Sequence, residues 1–189
     1  MSLIDFSKSE ITFKIVYYGP AMSGKTTNLG WIYRTIPDKV KGQFTSIATE
    51  TERTLFFDFL PVELGSVKGF KIRLSLYTVP GQELYQLTRK SVLKSVDGIV
   101  FVADSSVARR DDNINNLADM IKNLNEYELP DTPVVYQLNK RDLPDVMPVD
   151  QLVDELDLGG KPVYLGIASG GVSVMDCLKG ITREVVSKI

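Results

Sequence analysis

Gly19-Pro20-Ala21-Met22-Ser23-Gly24-Lys25-Thr26 fits the pattern G-x-x-x-x-G-K-[ST], and its flanks decide the fold. Upstream, Ile11-Thr12-Phe13-Lys14-Ile15-Val16-Tyr17-Tyr18 is rich in β-branched and aromatic residues and predicts a strand running into the loop. Downstream, Lys25 to about Thr35 predicts a helix, with Leu29 and Ile32 inward and Pro37 beyond its end. A strand, a glycine loop and a helix in that order aim successive backbone N–H groups, and the positive end of a helix dipole, at one point in space. Phosphate oxygens bind at such a point. Gly19, Ala21, Met22, Ser23, Gly24, Lys25, Thr26 and Thr27 are therefore the candidate phosphate contacts. Lys25 is expected to reach the β- and γ-phosphates of a nucleotide, and the Thr26 hydroxyl to hold Mg²⁺. The plainer alternative is an ordinary glycine turn with Lys25 and Thr26 solvated.

Working outward, the chain alternates. Thr54 to Val62 and Phe70 to Val79 are β-rich segments separated by Gly65 and Gly69, consistent with a hairpin. Helix-like stretches follow near 84–95, 112–127, 148–156 and 173–188, between apolar runs at Gly98–Ala103, Val134–Leu138 and Val163–Ile167. In the last helix Val174, Leu178, Ile181 and Val185 recur at helical spacing and are expected to face the core. This alternation predicts a mostly parallel sheet of six strands, one of them an antiparallel edge strand, with about five helices on both faces. No repeat or linker interrupts it, so residues 1–189 are expected to form a single domain.

A second motif lies where ligands sit in such sheets, at the C-terminal end of a strand. Asn139-Lys140-Arg141-Asp142 follows Val134-Val135-Tyr136-Gln137-Leu138 and fits N-K-x-D. Asp142 can accept from guanine N1–H and the 2-amino group. Adenine offers neither, and sites that leave a polar group unpaired reject the wrong partner by roughly 10⁴ or more. The stem of Lys140 can lie along the base, and Asn139 can tie this loop to the phosphate loop. In Ile167-Ala168-Ser169, a backbone N–H of Ala168 or Ser169 is the candidate for guanine O6. The two motifs in this order predict GTP or GDP as the bound nucleotide.

Composition excludes more than it names. The chain has 189 residues, 43% of them hydrophobic and 24% charged, which suits a soluble fold with a sizeable core. It has no histidine, which removes His-containing triads, His-bound zinc and histidine pH switches. A net charge of −2 predicts no nucleic-acid partner. The single cysteine, Cys177, cannot form an internal disulfide, so a reducing cytoplasm is expected. With serine at position 2, no C-a-a-X cysteine and no long apolar run, no direct membrane anchor is expected.

Between the motifs, Tyr77-Thr78-Val79-Pro80-Gly81-Gln82 closes the second β-rich segment. Here the chain resembles the small Ras-like GTPases, whose equivalent motif is D-x-x-G followed by glutamine. Thr78-Val79-Pro80-Gly81-Gln82 and Arg53-Thr54-Leu55-Phe56-Phe57-Asp58-Phe59-Leu60-Pro61 narrow the resemblance to the bacterial MglA family, Ras-like GTPases that set cell polarity and drive gliding or pilus-based motility. The similarity runs over essentially the full length, including Tyr17-Tyr18-Gly19-Pro20 and Asn139-Lys140-Arg141-Asp142-Leu143-Pro144. It implies a Ras-like G domain that hydrolyses GTP with Mg²⁺. It also implies a roadblock-domain dimer of MglB type as activator, motility or polarity effectors, and recruitment to a cell pole through partners.

The chemistry assigns roles within that resemblance. Phosphoryl transfer needs an in-line water and neutralised charge. Gln82, after the γ-phosphate-sensing Gly81, is the candidate to orient the water. Thr54 is the candidate second hydroxyl on Mg²⁺. Arg53 is the candidate arginine finger in cis, as the resemblance also implies; otherwise it is a surface arginine paired with Glu50 or Glu52. Thr78 stands where an aspartate usually supports Mg²⁺. Asp58 is a potential substitute, but an exposed strand carboxylate is the expectation. The methyl group of Ala21 predicts slow unassisted hydrolysis. Leu55, Phe56, Phe57, Phe59 and Leu60 exceed what one buried strand face needs, so part of this run is either a partner surface or a strand buried on both sides. The rivals are a nucleotide-holding module without turnover and a phosphotransferase. The latter lacks clustered lid arginines, since Arg109 and Arg110 are the only adjacent pair.

Overall fold

The computed structural model describes residues 3–47, 57–80 and 86–188. Among the described residues eight strands form one sheet: β1 (Leu3–Asp5), β2 (Glu10–Tyr18), β3 (Thr45–Ile47), β4 (Phe57–Val67), β5 (Phe70–Thr78), β6 (Gly98–Asp104), β7 (Val134–Asn139) and β8 (Val163–Leu165). Among the same residues five α-helices accompany them: α1 (Lys25–Thr35), α2 (Gln86–Leu93), α3 (Arg110–Glu126), α4 (Val149–Glu155) and α5 (Val174–Val186). The strand order is β3-β4-β5-β2-β6-β7-β8, with β1 paired separately to β2. From β5 to β8 every pairing is parallel. β4 runs antiparallel to β5, β3 to β4, and β1 to β2.

The expected sheet is present, with two strands more than the six anticipated. Both additions, β1 and β3, are three residues long. Three residues are too few to show the period-two alternation by which a strand is read, and backbone pairing alone defines them. β3 also displaces β4 from the edge position expected for it. Of the two glycines between the β-rich segments, Gly69 sits with Lys68 in the hairpin turn, and Gly65 lies in a register shift between Glu63 and Ser66.

Period-two alternation distributes the side chains of the central strands between two cores. Ile15 and Tyr17 of β2, with Val100 and Val102 of β6, meet α1 through Leu29 and Ile32 and α5 through Val174, Leu178, Ile181 and Val185. The α5 residues expected to face the core do so. Val16 and Tyr18, with Ile99, Phe101 and Ala103, meet α2, α3 and α4 through Leu93, Met120 and Leu152. Covered on both faces, β6 is buried at all seven positions, as its unbroken apolar run demands. Cys177 lies fully buried on α5, and burial pushes its thiol up to about 12, so it packs rather than reacts.

β4 has two distinct sides. Leu60 and Val62 are buried against the α1 layer, while Phe57 and Phe59 lean half-buried on Tyr77, with ring centroids 5.8 and 4.8 Å away. The three described members of the apolar run thus divide between the faces, Leu60 fully buried on one and Phe57 and Phe59 half-buried on the other. Leu55 and Phe56 lie outside the described residues. Among the described residues no helix is long and apolar enough to cross a membrane.

Candidate functional site

Three loops leave the C-terminal ends of β2, β7 and β8 and converge. The first holds Gly19 to Gly24 and passes into α1 at Lys25. Gly24 caps that helix in the left-handed region, at φ 106, without a side-chain capping bond, and the first turn of α1 carries no acidic residue. The positive end of the helix is thus left to an anion. Gly24 is also required by close approach: a Cβ there would stand 2.2 Å from Asn139 Nδ2. Met22 is exposed, whereas Ser23 is fully buried.

Lys25 is only 7% exposed and turns its ammonium onto the loop, donating to the carbonyls of Gly19 at 2.8 Å and Pro20 at 2.6 Å. Burial first, then the Arg89 guanidinium, push its proton affinity down to about 7; Arg109 adds to the push and Asp58 opposes it. A cation this short of counter-charge suits a phosphate ligand. Thr26 and Thr27, both exposed, follow on the first turn of α1.

Beside the loop, one carboxylate gathers three hydroxyls. Asp58 Oδ2 accepts from Thr26 Oγ1 at 2.5 Å and from Thr78 Oγ1 at 2.9 Å, while Oδ1 accepts from Ser46 Oγ at 2.5 Å. The Asp58 backbone N–H donates to Thr78 Oγ1 at 2.8 Å. Asp58 is 8% exposed, which corrects the expectation of an exposed strand carboxylate. Strand parity explains it, since Asp58, Leu60 and Val62 alternate on the buried side of β4. Thr78 itself carries no charge, and the carboxylate beside it comes from the neighbouring strand β4. The hard oxygens of Thr26, Asp58, Thr78 and Ser46 suit Mg²⁺. Among the described residues no three His, Cys, Asp or Glu side chains gather to hold a metal, so a cation here depends on ligand phosphates and water as well.

On the opposite side of the phosphate loop, Asn139 ends β7 at 2% exposure and joins all three loops. Its Nδ2 donates to the Ser23 carbonyl at 2.7 Å, and its Oδ1 accepts the Ala168 N–H at 2.9 Å. Lys140 adopts φ 64, a strained conformation for a side-chain-bearing residue, and its Nζ bonds Asp104 Oδ2 at 2.7 Å. Asp142 is exposed two residues on. The Ala168 N–H is thus taken by Asn139. The turn from Ala168 to Gly170 ends at Gly171, φ 75, where a Cβ would stand 2.0 Å from the Trp31 ring: the indole of α1 packs directly over this backbone.

The structure therefore brings together Gly24, Lys25, Thr26, Ser23, Asn139, Lys140 and Ala168. Thr78 joins them through Asp58. Arg53, Thr54, Gly81 and Gln82 lie outside the described residues. Sequence reasoning missed Asp104, Ser46, Arg89 and Arg109. Arg89, on α2, is 4% exposed, pairs with Asp119 at 2.9 Å and donates to the Pro80 carbonyl at 3.4 Å. Arg109 donates to the Ala21 carbonyl at 2.7 Å. Asp104 alone left a usable signal, a carboxylate at the C-terminal end of an apolar strand.

The site has relatives. The sequence profile of the ADP-ribosylation factor family matches residues 2–185. The mutual gliding-motility protein MglA of Myxococcus xanthus is 48% identical over 191 residues, spanning 100% of this chain and 98% of that protein.

Proposed function

The chain belongs to the ADP-ribosylation factor family of small GTPases as an MglA-type member, and from that premise we infer how its residues divide the work. It is a guanine-nucleotide switch that hydrolyses GTP to GDP and phosphate. In our reading the backbone of Gly19, Ala21, Met22, Ser23, Gly24 and Thr27 wraps the phosphates, and Lys25 leaves the carbonyls it now holds for the β- and γ-oxygens. Asn139, Lys140, Asp142 and Ser169 take guanine, with Ala168 holding Asn139 in place. The observation that carries this is the pair of hydrogen bonds made by the Asn139 amide, which tie the base loop to the phosphate loop and to the turn at Ala168.

Thr26 and Thr54 would hold Mg²⁺, which would supply positive charge to offset the negative charge of the phosphates. Asp58 orients the Thr26 hydroxyl and supplies the negative charge that Thr78 lacks. Gln82 orients the attacking water, Gly81 senses the γ-phosphate, and Arg53 neutralises charge in the transition state. By analogy with its relative, this switch regulates gliding motility or cell polarity from the cytoplasm, at a pole to which partners recruit it. A roadblock-domain dimer of MglB type stimulates it and effectors read its GTP form. Residues 1–189 act as one G domain. Family membership favours this over a nucleotide-holding module without turnover.

Single-turnover hydrolysis of GTP by the purified protein with Mg²⁺, beside Gln82→Ala, tests the reading. Slow turnover lost in the variant supports it, with an effect of about 10² or more. Turnover that survives in Gln82→Ala refutes the role of Gln82.

A further inference from the structure

Arg109 stands immediately before α3, and no role above uses it. Its guanidinium reaches over to the phosphate loop, where Nη2 donates to the Ala21 carbonyl at 2.7 Å. Nη1 pairs with Asp112 Oδ2 at 2.9 Å, in the first turn of α3, so the fork is held from the helix as well as from the loop. The third position, Nε, is buried and has no hydrogen-bond partner among the described residues. A buried guanidinium N–H without an acceptor is unfavourable, and native proteins rarely leave one without a reason. Beside an anion-binding loop, the acceptor that answers it is one that arrives with a ligand.

Charge leads to the same place. Lys25 donates to the carbonyls of Gly19 and Pro20 and Arg109 to that of Ala21, so two cationic side chains sit on the first half of one loop. Arg89, by contrast, is already committed to Asp119. Arg109 is also seated on Ala21, a different carbonyl of the loop from that of Ser23, which Asn139 ties to the base loop.

We propose that Arg109 is a specificity residue for the terminal phosphate: its guanidinium, held on Ala21 by α3, supplies charge and the Nε donor to the γ-phosphate end of a bound nucleoside triphosphate and so favours GTP over GDP. The inference rests on the reading of Gly19 to Thr27 as a nucleotide-binding loop. The competing reading is a structural clasp between α3 and the loop, which would serve both nucleotides equally.

GDP and GTPγS, each competed against a fluorescent GDP derivative with Mg²⁺ in excess, separate the two. Arg109→Gln keeps a side chain that can donate to Ala21 but removes the charge, whereas Arg109→Lys keeps the charge. In Arg109→Gln, GTPγS affinity falls about tenfold or more while GDP affinity stays within about threefold, and Arg109→Lys recovers most of the ratio. Equal weakening of both nucleotides, or an unchanged ratio, overturns the inference and leaves the nucleotide site intact. Wild-type protein that binds neither nucleotide overturns the site itself and this inference with it.

Discussion

The two flanks of the phosphate loop are built on different principles. On the base side, one residue type at one position does the joining: the amide of Asn139 bonds Ser23 on one strand's loop and Ala168 on another's. On the metal side, a carboxylate from β4 is shared among hydroxyls contributed by α1, β3 and β5. The first arrangement needs an amide with a donor and an acceptor, so it admits little substitution. The second needs only one negative charge among hydroxyls, so the aspartate is free to sit on β4 while β5 presents Thr78. A short motif announces the former; only strand register reveals the latter.

Asn139→Ala should have the largest effect. It removes two buried hydrogen bonds and leaves the Ala168 N–H without its acceptor, at about 2–4 kcal/mol in all. Affinity for GDP and GTP alike should then fall about 10²-fold, measured by titration with fluorescent nucleotide. If Asn139→Ala binds as wild type does, the base side is not rigidly joined and the contrast drawn above disappears.

Asp58→Asn should have a smaller effect, confined to the other flank. Asparagine retains an acceptor oxygen but loses the charge, so the Mg²⁺ concentration needed for half-maximal GTP binding should rise about 10- to 100-fold. Nucleotide binding in EDTA should be little changed. A loss of similar size without Mg²⁺ would make Asp58 a packing residue. That outcome would erase the difference between the flanks from this side.

The smallest effect is a proton. With Lys25 near 7 in the free protein and raised once phosphates surround it, binding at pH 8 should take up close to one proton. Proton uptake on binding means that affinity falls as pH rises above 7, by at most about tenfold per unit, until Lys25 would lose its proton in the complex too. Calorimetry of GDP binding at pH 8 in buffers of different ionisation heats checks this. Zero uptake would mean that Lys25 is already charged in the free protein.

The same contrast governs what could be read from the chain. The glycine loop, N-K-x-D, the α5 stripe and the alternation of strands and helices all repeat or keep fixed spacing, and each falls where the sequence placed it. β1 and β3 escaped because three residues carry no period. Asp58 was misread although Leu60 and Val62 share its parity, because the surrounding phenylalanines made both faces of β4 look apolar. Arg109 acts through a partner 88 positions away, and no local pattern encodes such a pair.

The chain contains a single tryptophan, and it lies against the backbone that closes the base side. Trp31 on α1 covers Gly171, with Arg34 stacked 5.5 Å from its ring centroid. Excited near 295 nm, the protein therefore carries an intrinsic optical probe of the base loop and none on the metal flank. Emission should respond when guanine binds beside the turn from Ala168 to Gly170, while events confined to Asp58 stay dark. Which flank closes first during nucleotide capture becomes measurable by stopped flow, without attaching a dye.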